Sequence, residues 1–301
     1  LTIQDDIWIV DFSDCGPQQI GGNNSTMGMT EGVVSSCLGY FIDHKIPKNH
    51  GLCKHYKIIA PEGSIVNAQP PASTQLATSA SGDIMYRALL RAAAQACPEM
   101  AISGCSHNWG IMYAGVDQRE NRDVPFGFAT ANTSGGGGAV YGADGSPCLW
   151  DFEVAGGMRY ISNEITEWLN PIIVERAEVM TDSMGAGKWR GSPGIYQVVR
   201  WYDCSRLEMT LPNQGSYNPP YGLFGGKPGA GSCIYSYTPK NPSKRKFYSP
   251  QGMTVLEPGH VLVSTSTGGG GFGDPLERDP QLVRIDAKDE FISVAVARED
   301  Y

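Results

Sequence analysis

The stretch Asp182-Ser-Met-Gly-Ala-Gly-Lys-Trp-Arg-Gly-Ser-Pro-Gly194 places four glycines around two cations, Lys188 and Arg190. Because glycine has no Cβ, the backbone here can adopt positive φ and approach a ligand or another segment closely. A phosphate-binding P-loop needs a glycine five residues before the glycine that precedes the lysine, and a Ser or Thr after the lysine. Asp182 and Trp189 occupy those two positions. The spacing argues against nucleotide binding and favours a turn between strands, with a substrate or interface loop as the alternative.

Apolar periodicity on both sides of this loop predicts a strand-rich fold. Strands are predicted at 172–180 before the loop and at 195–202 after it, and two helices are predicted near the N-terminus at 26–42 and 82–96. A hairpin is predicted at 3–12, and further strands at 54–60, 111–116, 126–132, 206–211 and 255–264. The pattern predicts an α+β fold with mixed, mainly antiparallel sheets and long glycine-rich loops.

Length and composition limit the function classes. With 301 residues and 41% hydrophobic content, the chain can form one large domain, residues 1–301, or two that divide near 100–135.

A net charge of −8 argues against nucleic acid or an anionic membrane as the partner, and the basic cluster at 240–246 is interpreted as a solvated loop. No apolar run is long enough for a transmembrane helix. Eight scattered cysteines without a CxxC pair indicate free thiols in a reducing cytoplasm.

His107 and Asn108 are the candidate catalytic residues. A histidine beside an amide, in a turn rich in glycine and serine, can act as a general base or polarise a carbonyl group. The alternative is a structural histidine. Cys105 lies two residues away, but the sequence pairs it with no base, so a cysteine nucleophile is disfavoured.

Glycine runs offer a second kind of candidate site. The backbone amides of Gly135, Gly136 and Gly137, and those of Gly269 and Gly270, could bind an anionic oxygen, with Lys188 and Arg190 as cationic candidates. Close crossings of the backbone are the alternative explanation for the glycines. The segment 44–55 contains only a loose cluster of possible metal ligands without a second ligand pair, so no metal site is predicted on this chain. The cluster consists of His44, His50, Cys53 and His55.

Several separated phrases resemble one known family. They are IWIVDFSDCGPQQIGGNN (7–24), APEGSIVN (60–67), SMGAGKWRGSPG (183–194), GLFGGKPGA (222–230) and GGGGFGDPLERDP (268–280). In this order they look like the B-type subunits of hydantoinases and oxoprolinases, which include related subunits of acetone and acetophenone carboxylases. The resemblance covers about residues 1 to 290.

The resemblance implies a division of labour between subunits. An A-type partner binds ATP and magnesium and phosphorylates a carbonyl oxygen of a small substrate. The B-type subunit carries a divalent metal, zinc or manganese, in its N-terminal part. In the hydantoinase-like members a cyclic amide is opened, and in the carboxylases an activated enol meets phosphorylated bicarbonate.

The chain also departs from the family pattern. The N-terminal phrase that carries the family's metal ligands has no match, so the chain resembles only the C-terminal part, and the metal-bearing part is expected to be a partner. Residues 77–82 and 106–109 differ from the hydantoinase-type phrases. These differences favour a subunit of an ATP-dependent carboxylase that activates a ketone-type carbonyl compound. The alternatives are a subunit that hydrolyses a cyclic amide and a non-catalytic scaffold subunit.

Overall fold

The computed structural model describes residues 1–107, 110–130, 135–147 and 161–301. The chain divides into two compact units, Leu1–Ile102 and Ser103–Tyr301. Whether these units are separate domains, as the predicted division near 100–135 would require, stays a prediction. No helix in the part of the chain that the structure describes is both long and apolar enough to cross a lipid bilayer.

The first unit combines a small sheet with two helices. The sheet has the order β1–β2–β3 (Thr2–Gln4, Ile7–Asp11 and Tyr56–Ile59), with β1 antiparallel and β3 parallel to β2. Helix α1 (Met27–Tyr40) begins where the Thr26 side chain accepts a hydrogen bond from the Met29 N–H at 3.3 Å. Helix α2 (Asp83–Ala93) continues from a π-helical turn at Ala77–Gly82. The predicted hairpin and both predicted helices are confirmed.

The described residues of the second unit form two antiparallel sheets. One sheet has the order β10–β9–β12–β7–β6 and the other has the order β11–β8–β4–β5. The strands are β4 (Ile111–Asp117), β5 (Val124–Thr130), β6 (Ile172–Val179), β7 (Ile195–Trp201), β8 (Cys204–Pro212), β9 (Cys233–Thr238), β10 (Asn241–Phe247), β11 (Gln251–Leu256) and β12 (Val261–Thr265). The α-helices among the described residues of this unit are α3 (Asn163–Leu169), α4 (Pro280–Lys288) and α5 (Val294–Asp300).

The core of the second unit lies between its two sheets. Tyr113 and Met209 of the four-stranded sheet share one buried cluster with Val199, Trp201 and Leu262 of the five-stranded sheet. Alternate residues of a strand point to the same face, as Val199 and Trp201 of β7 do here. The predicted α+β class with mainly antiparallel sheets is confirmed.

Two local predictions were wrong. The predicted strand at 255–264 is two strands in different sheets, because the chain turns at Gly259, where φ is +77°, between β11 and β12. The predicted loop at 240–246 belongs to β10, whose residues are all exposed at the edge of the five-stranded sheet. Lysines on an edge strand discourage pairing with another chain, and they conceal the strand from composition-based prediction.

Candidate functional site

The loop at 182–194 connects β6 and β7, which are antiparallel neighbours. The predicted turn between strands is therefore confirmed, although the loop makes a long excursion away from the sheet. Along its course it pairs with residues 268–273: Trp189 and Phe272 exchange backbone hydrogen bonds of 3.0 and 2.8 Å. The Gly185 N–H also donates to the Gly269 carbonyl at 2.8 Å.

Four glycine-rich segments of the second unit pack together at backbone contact. We refer to residues 135–139, 183–194, 220–231 and 266–273 as the glycine block. A Cβ on Gly191 would lie 1.9 Å from the carbonyl oxygen of Gly269, and a Cβ on Gly269 would lie 2.0 Å from the carbonyl oxygen of Gly137. No side chain fits at such distances, so these positions require glycine for close crossings.

The amides of the candidate anion-binding glycines have partners inside the protein. Their acceptors are Ser106 Oγ for Gly135 (3.1 Å), the Ser146 carbonyl for Gly137 (2.8 Å), the Ser192 carbonyl for Gly269 (2.8 Å) and the Gly104 carbonyl for Gly270 (2.8 Å). An amide that donates within the fold binds an anion only if that bond breaks. The geometry thus favours the close-crossing alternative, and anion binding by these glycines and Gly136 stays a prediction.

His107 lies at the edge of the glycine block and is held by a chain of hydroxyl groups. Its backbone N–H donates to Thr267 Oγ1 at 3.1 Å, and that hydroxyl donates to Ser106 Oγ at 3.0 Å. Ser106 Oγ also accepts from the Gly135 N–H, which joins two of the predicted site segments. Ser106 and Thr267 were not predicted as positioning residues, although Ser106 directly precedes His107 and Thr267 directly precedes the glycine run at 268–271.

The His107 ring packs against a tight turn. His107 is 7% exposed, and Gly215, with φ of +85°, lies beside it. A Cβ on Gly215 would lie 3.0 Å from His107 Cδ2 and 2.4 Å from Thr267 Cγ2. The backbone and ring of His107 are therefore fixed by their surroundings. Asn108, the other catalytic candidate, lies outside the described residues.

The two cations of the 182–194 loop form ion pairs with the C-terminal segment. Lys188 Nζ lies 2.9 Å from Glu277 Oε2, and both side chains are largely exposed. Arg190 Nε lies 2.8 Å from Asp286 Oδ1 on α4, in a setting that is mostly buried. These contacts give both cations a structural role, and their binding of substrate or anion stays a prediction.

Arg190 belongs to a largely buried network of two arginines and two aspartates that was not predicted from the sequence. Arg278 donates to Asp144 at 2.7 and 2.9 Å and to Asp286 at 2.8 Å. Burial alone would raise the pKa of Asp144, but hydrogen bonds and charge from Arg278 and Arg190 outweigh it and lower that pKa. Nothing in the local sequence pattern marks these partners, because they come together from three separate segments.

The loose cluster of histidines and Cys53 does not form a metal centre. His50 Nδ1 lies 3.3 Å from Cys53 Sγ, but within 1–107, 110–130, 135–147 and 161–301 no three His, Cys, Asp or Glu side chains are arranged to hold a metal ion. The donors in these ranges therefore do not fit the divalent metal that the family resemblance implies. The position of that metal stays a prediction. No disulfide joins the seven described cysteines.

Comparisons with known proteins extend these observations. A family model described as hydantoinase B/oxoprolinase matches residues 1–275. The caprolactamase subunit beta of Pseudomonas jessenii is 29% identical over 286 residues, which cover 92% of this chain and 48% of that protein.

Solved structures give the same picture of the fold. The ATP-dependent caprolactamase of Pseudomonas jessenii matches with a TM-score of 0.82 and 27% identity, over 95% of this chain and 50% of that one. Acetone carboxylase in its nucleotide-free structure matches with a TM-score of 0.81 and 21% identity, over 100% of this chain and 44% of that one. The latter likeness concerns the fold alone. This chain spans about half the length of the relatives it matches.

Proposed function

Because this chain belongs to the hydantoinase B/oxoprolinase family, we propose that it forms part of an ATP-dependent enzyme complex that opens a cyclic amide. The observation that carries the proposal is the 29% identity to a caprolactamase subunit across 92% of the chain. The 27% identity to a solved ATP-dependent caprolactamase supports the same reaction class.

The chemistry explains why such a reaction would use ATP. An amide carbonyl is a weak electrophile, because the nitrogen lone pair is delocalised onto the oxygen. Transfer of a phosphoryl group to that oxygen, which we assign to an A-type partner subunit that binds ATP and magnesium, makes the carbon open to attack by water. A base must then remove a proton from the attacking water, and the negative charge that develops must be stabilised. The adduct opens by cleavage of the C–N bond, the ring nitrogen takes up a proton, and a second water releases the phosphoryl group as phosphate.

We assign the general base to His107. An imidazole titrates near neutral pH and can accept a proton from an attacking water. The fixed backbone of His107, held by Thr267, and the packing of Gly215 against its ring support this role, because a catalytic group works best when it is held in place. Lys188, with 41% of its side chain exposed, is the cation of this chain that we propose to face the substrate or the partner subunit.

Ketone carboxylation, the first expectation from sequence, is the second candidate reaction. It rests on the departures of residues 77–82 and 106–109 from the hydantoinase-type phrases. A non-catalytic scaffold is the third possibility, and it requires that no residue of this chain contribute to turnover.

The experiment is an assay of ADP release by the native complex that contains this chain. A lactam, a hydantoin and 5-oxoproline are compared with acetone and acetophenone, each with and without bicarbonate. We expect a cyclic amide to stimulate ADP release without bicarbonate. Stimulation by ketones alone, and only when bicarbonate is present, would establish the carboxylase candidate instead.

A further inference from the structure

The first unit contains a cavity of about 340 Å³ that has no role in the proposed reaction. It opens between the β1–β2 hairpin, the end of α1 and the segment that leads into β3. Six apolar side chains line it, namely Ile3, Trp8, Leu38, Ile42, Ile46 and Leu52. A cavity of this size with apolar walls is at the lower end of the range of small-molecule sites.

The remaining lining residues are Asp5, Asp6 and His55, and none of the nine is Lys or Arg. Asp5 and Asp6 form the exposed turn of the β1–β2 hairpin. His55 Nδ1 lies 3.3 Å from the Asp6 carbonyl oxygen and 3.5 Å from its carboxylate. Both of these Asp6 oxygens are acceptors, so Nδ1 of His55 is placed to donate to Asp6.

The polar part of the lining therefore includes two carboxylates, which accept hydrogen bonds and carry negative charge. An ammonium group has three donors and no acceptor, so it complements this arrangement in both hydrogen bonding and charge. A carboxylate ligand would meet repulsion from Asp5 and Asp6, and an alcohol would supply one donor without charge. The apolar walls require that the rest of the ligand be a short hydrocarbon.

We propose that this cavity is a binding site for a small aliphatic primary amine, with the hydrocarbon between Leu38, Ile46 and Leu52 and the ammonium group at Asp5 and Asp6. The inference rests on the first unit alone and does not depend on the proposed reaction. It assigns the cavity a free amine as ligand.

The test is calorimetric titration of the full chain with n-hexylamine, n-hexanol and hexanoate at neutral pH. We expect hexylamine to bind about tenfold more tightly than hexanol, because of its charge-assisted hydrogen bonds, and hexanoate not to bind. Added salt should weaken the binding of hexylamine and leave that of hexanol unchanged, since screening acts only on the charged ligand.

Variants locate the site. The double variant Asp5→Asn, Asp6→Asn should bind hexylamine about tenfold more weakly and hexanol unchanged. Asn tolerates the left-handed conformation of Asp5, where φ is 53°, so this variant keeps the turn. Ile46→Trp, which enlarges a side chain that is 49% exposed, should fill the cavity and reduce the binding of both ligands. The matched control is Asp14→Asn, at an exposed acidic residue outside the cavity, and it should bind hexylamine like the wild type.

Three results would overturn the proposal. They are equal affinity for hexylamine and hexanol, unchanged hexylamine affinity in the Asp5→Asn, Asp6→Asn variant, and no detectable binding of hexylamine to the folded chain. The last result would leave the cavity to a side chain of a partner protein. Failure of the ADP-release assay would not affect this test, because the titration uses other ligands and concerns a cavity of the first unit alone.

Discussion

At the scale of single residues, His107 shows how hydroxyl groups from distant segments can position a candidate base. Its backbone N–H is fixed by Thr267, and Thr267 in turn donates to Ser106. The three residues come from two distant segments, so their assembly depends on the glycine block. The sequence indicated the histidine, whereas the hydroxyls that hold it became recognisable only in the folded chain.

The role of His107 predicts the effect of its removal. His107→Ala in the native complex should lower kcat for ADP release with a cyclic amide by about a hundredfold, with KM nearly unchanged, because a general base acts in the transition state. Steady-state kinetics measures this change. His44→Ala, which alters an exposed histidine of the first unit, is the matched control and should have wild-type kinetics.

Thermal unfolding of both histidine variants separates catalysis from folding. If His107→Ala melts like the wild type and retains its kcat, His107 is not the base. If His107→Ala unfolds at a much lower temperature than the wild type, His107→Gln replaces it in the test. Its side chain can fill part of the same space without accepting a proton at neutral pH, and the same loss of kcat is expected.

The ion-pair network predicts a pH dependence of stability. The pKa of Asp144 is lowered from its ordinary value of 3.8, so its carboxylate stabilises the folded state at pH values above 3.8. That contribution decreases as the pH falls through the lowered pKa of the folded state, because both states are then protonated. Asp144→Asn should therefore reduce the free energy of unfolding at pH 7 and reduce it less at pH 3.

Urea unfolding at matched ionic strength measures this difference. Asp14→Asn is the control, since Asp14 is exposed and should affect stability little at either pH. An equal loss of stability for Asp144→Asn at pH 7 and pH 3 would contradict the account, because the loss would then come from packing rather than from charge.

At the scale of structural elements, the second unit depends on loops as much as on strands. The sheets bury an apolar cluster between them, while the glycine block joins the ends of several strands by backbone contact. Such contact leaves no room for a Cβ, and so the sequence shows runs of glycine where most proteins have polar loops. These loops are structural elements of the unit.

This packing predicts a large cost for a single added methyl group. Gly191→Ala places a Cβ 1.9 Å from the Gly269 carbonyl oxygen, so the loops must separate, and we expect a loss of about 3 kcal/mol in unfolding free energy. Gly127→Ala is the matched control in the same unit, because its Cβ would meet only an ordinary contact of 3.5 Å. Chemical denaturation measures both variants. Equal stability of the two would show that the loops separate without cost.

The elements that the sequence predicts well are those with local signals. The Thr26 cap and the apolar spacing of α1 are contained within one segment, and so is the alternation of β7. β10 was not predicted as a strand because its lysines resemble the composition of a solvated loop. The segment 255–264 was predicted as one strand because it is apolar on both sides of the short turn that divides it. The partners of Arg278 could not be predicted, since they depend on contacts between distant segments.

At the scale of the whole molecule, two compact units carry different features. The second unit holds the glycine block, His107 and the ion-pair network, and the first unit holds the apolar cavity. The chain covers 48% of the caprolactamase subunit that it matches, and its part in an ATP-dependent reaction is a proposal. Cytoplasmic location, the ATP-binding partner and the divalent metal stay predictions.

The mass of the product that the native complex forms from ATP and a lactam, in the presence of isotopically labelled bicarbonate, distinguishes ring opening from carboxylation. We expect ring opening, with a product that is heavier than the lactam by one water molecule and contains no label, formed together with ADP and phosphate. A product that carries the labelled carbon, or no product from any cyclic amide while a ketone gains the label, would contradict it.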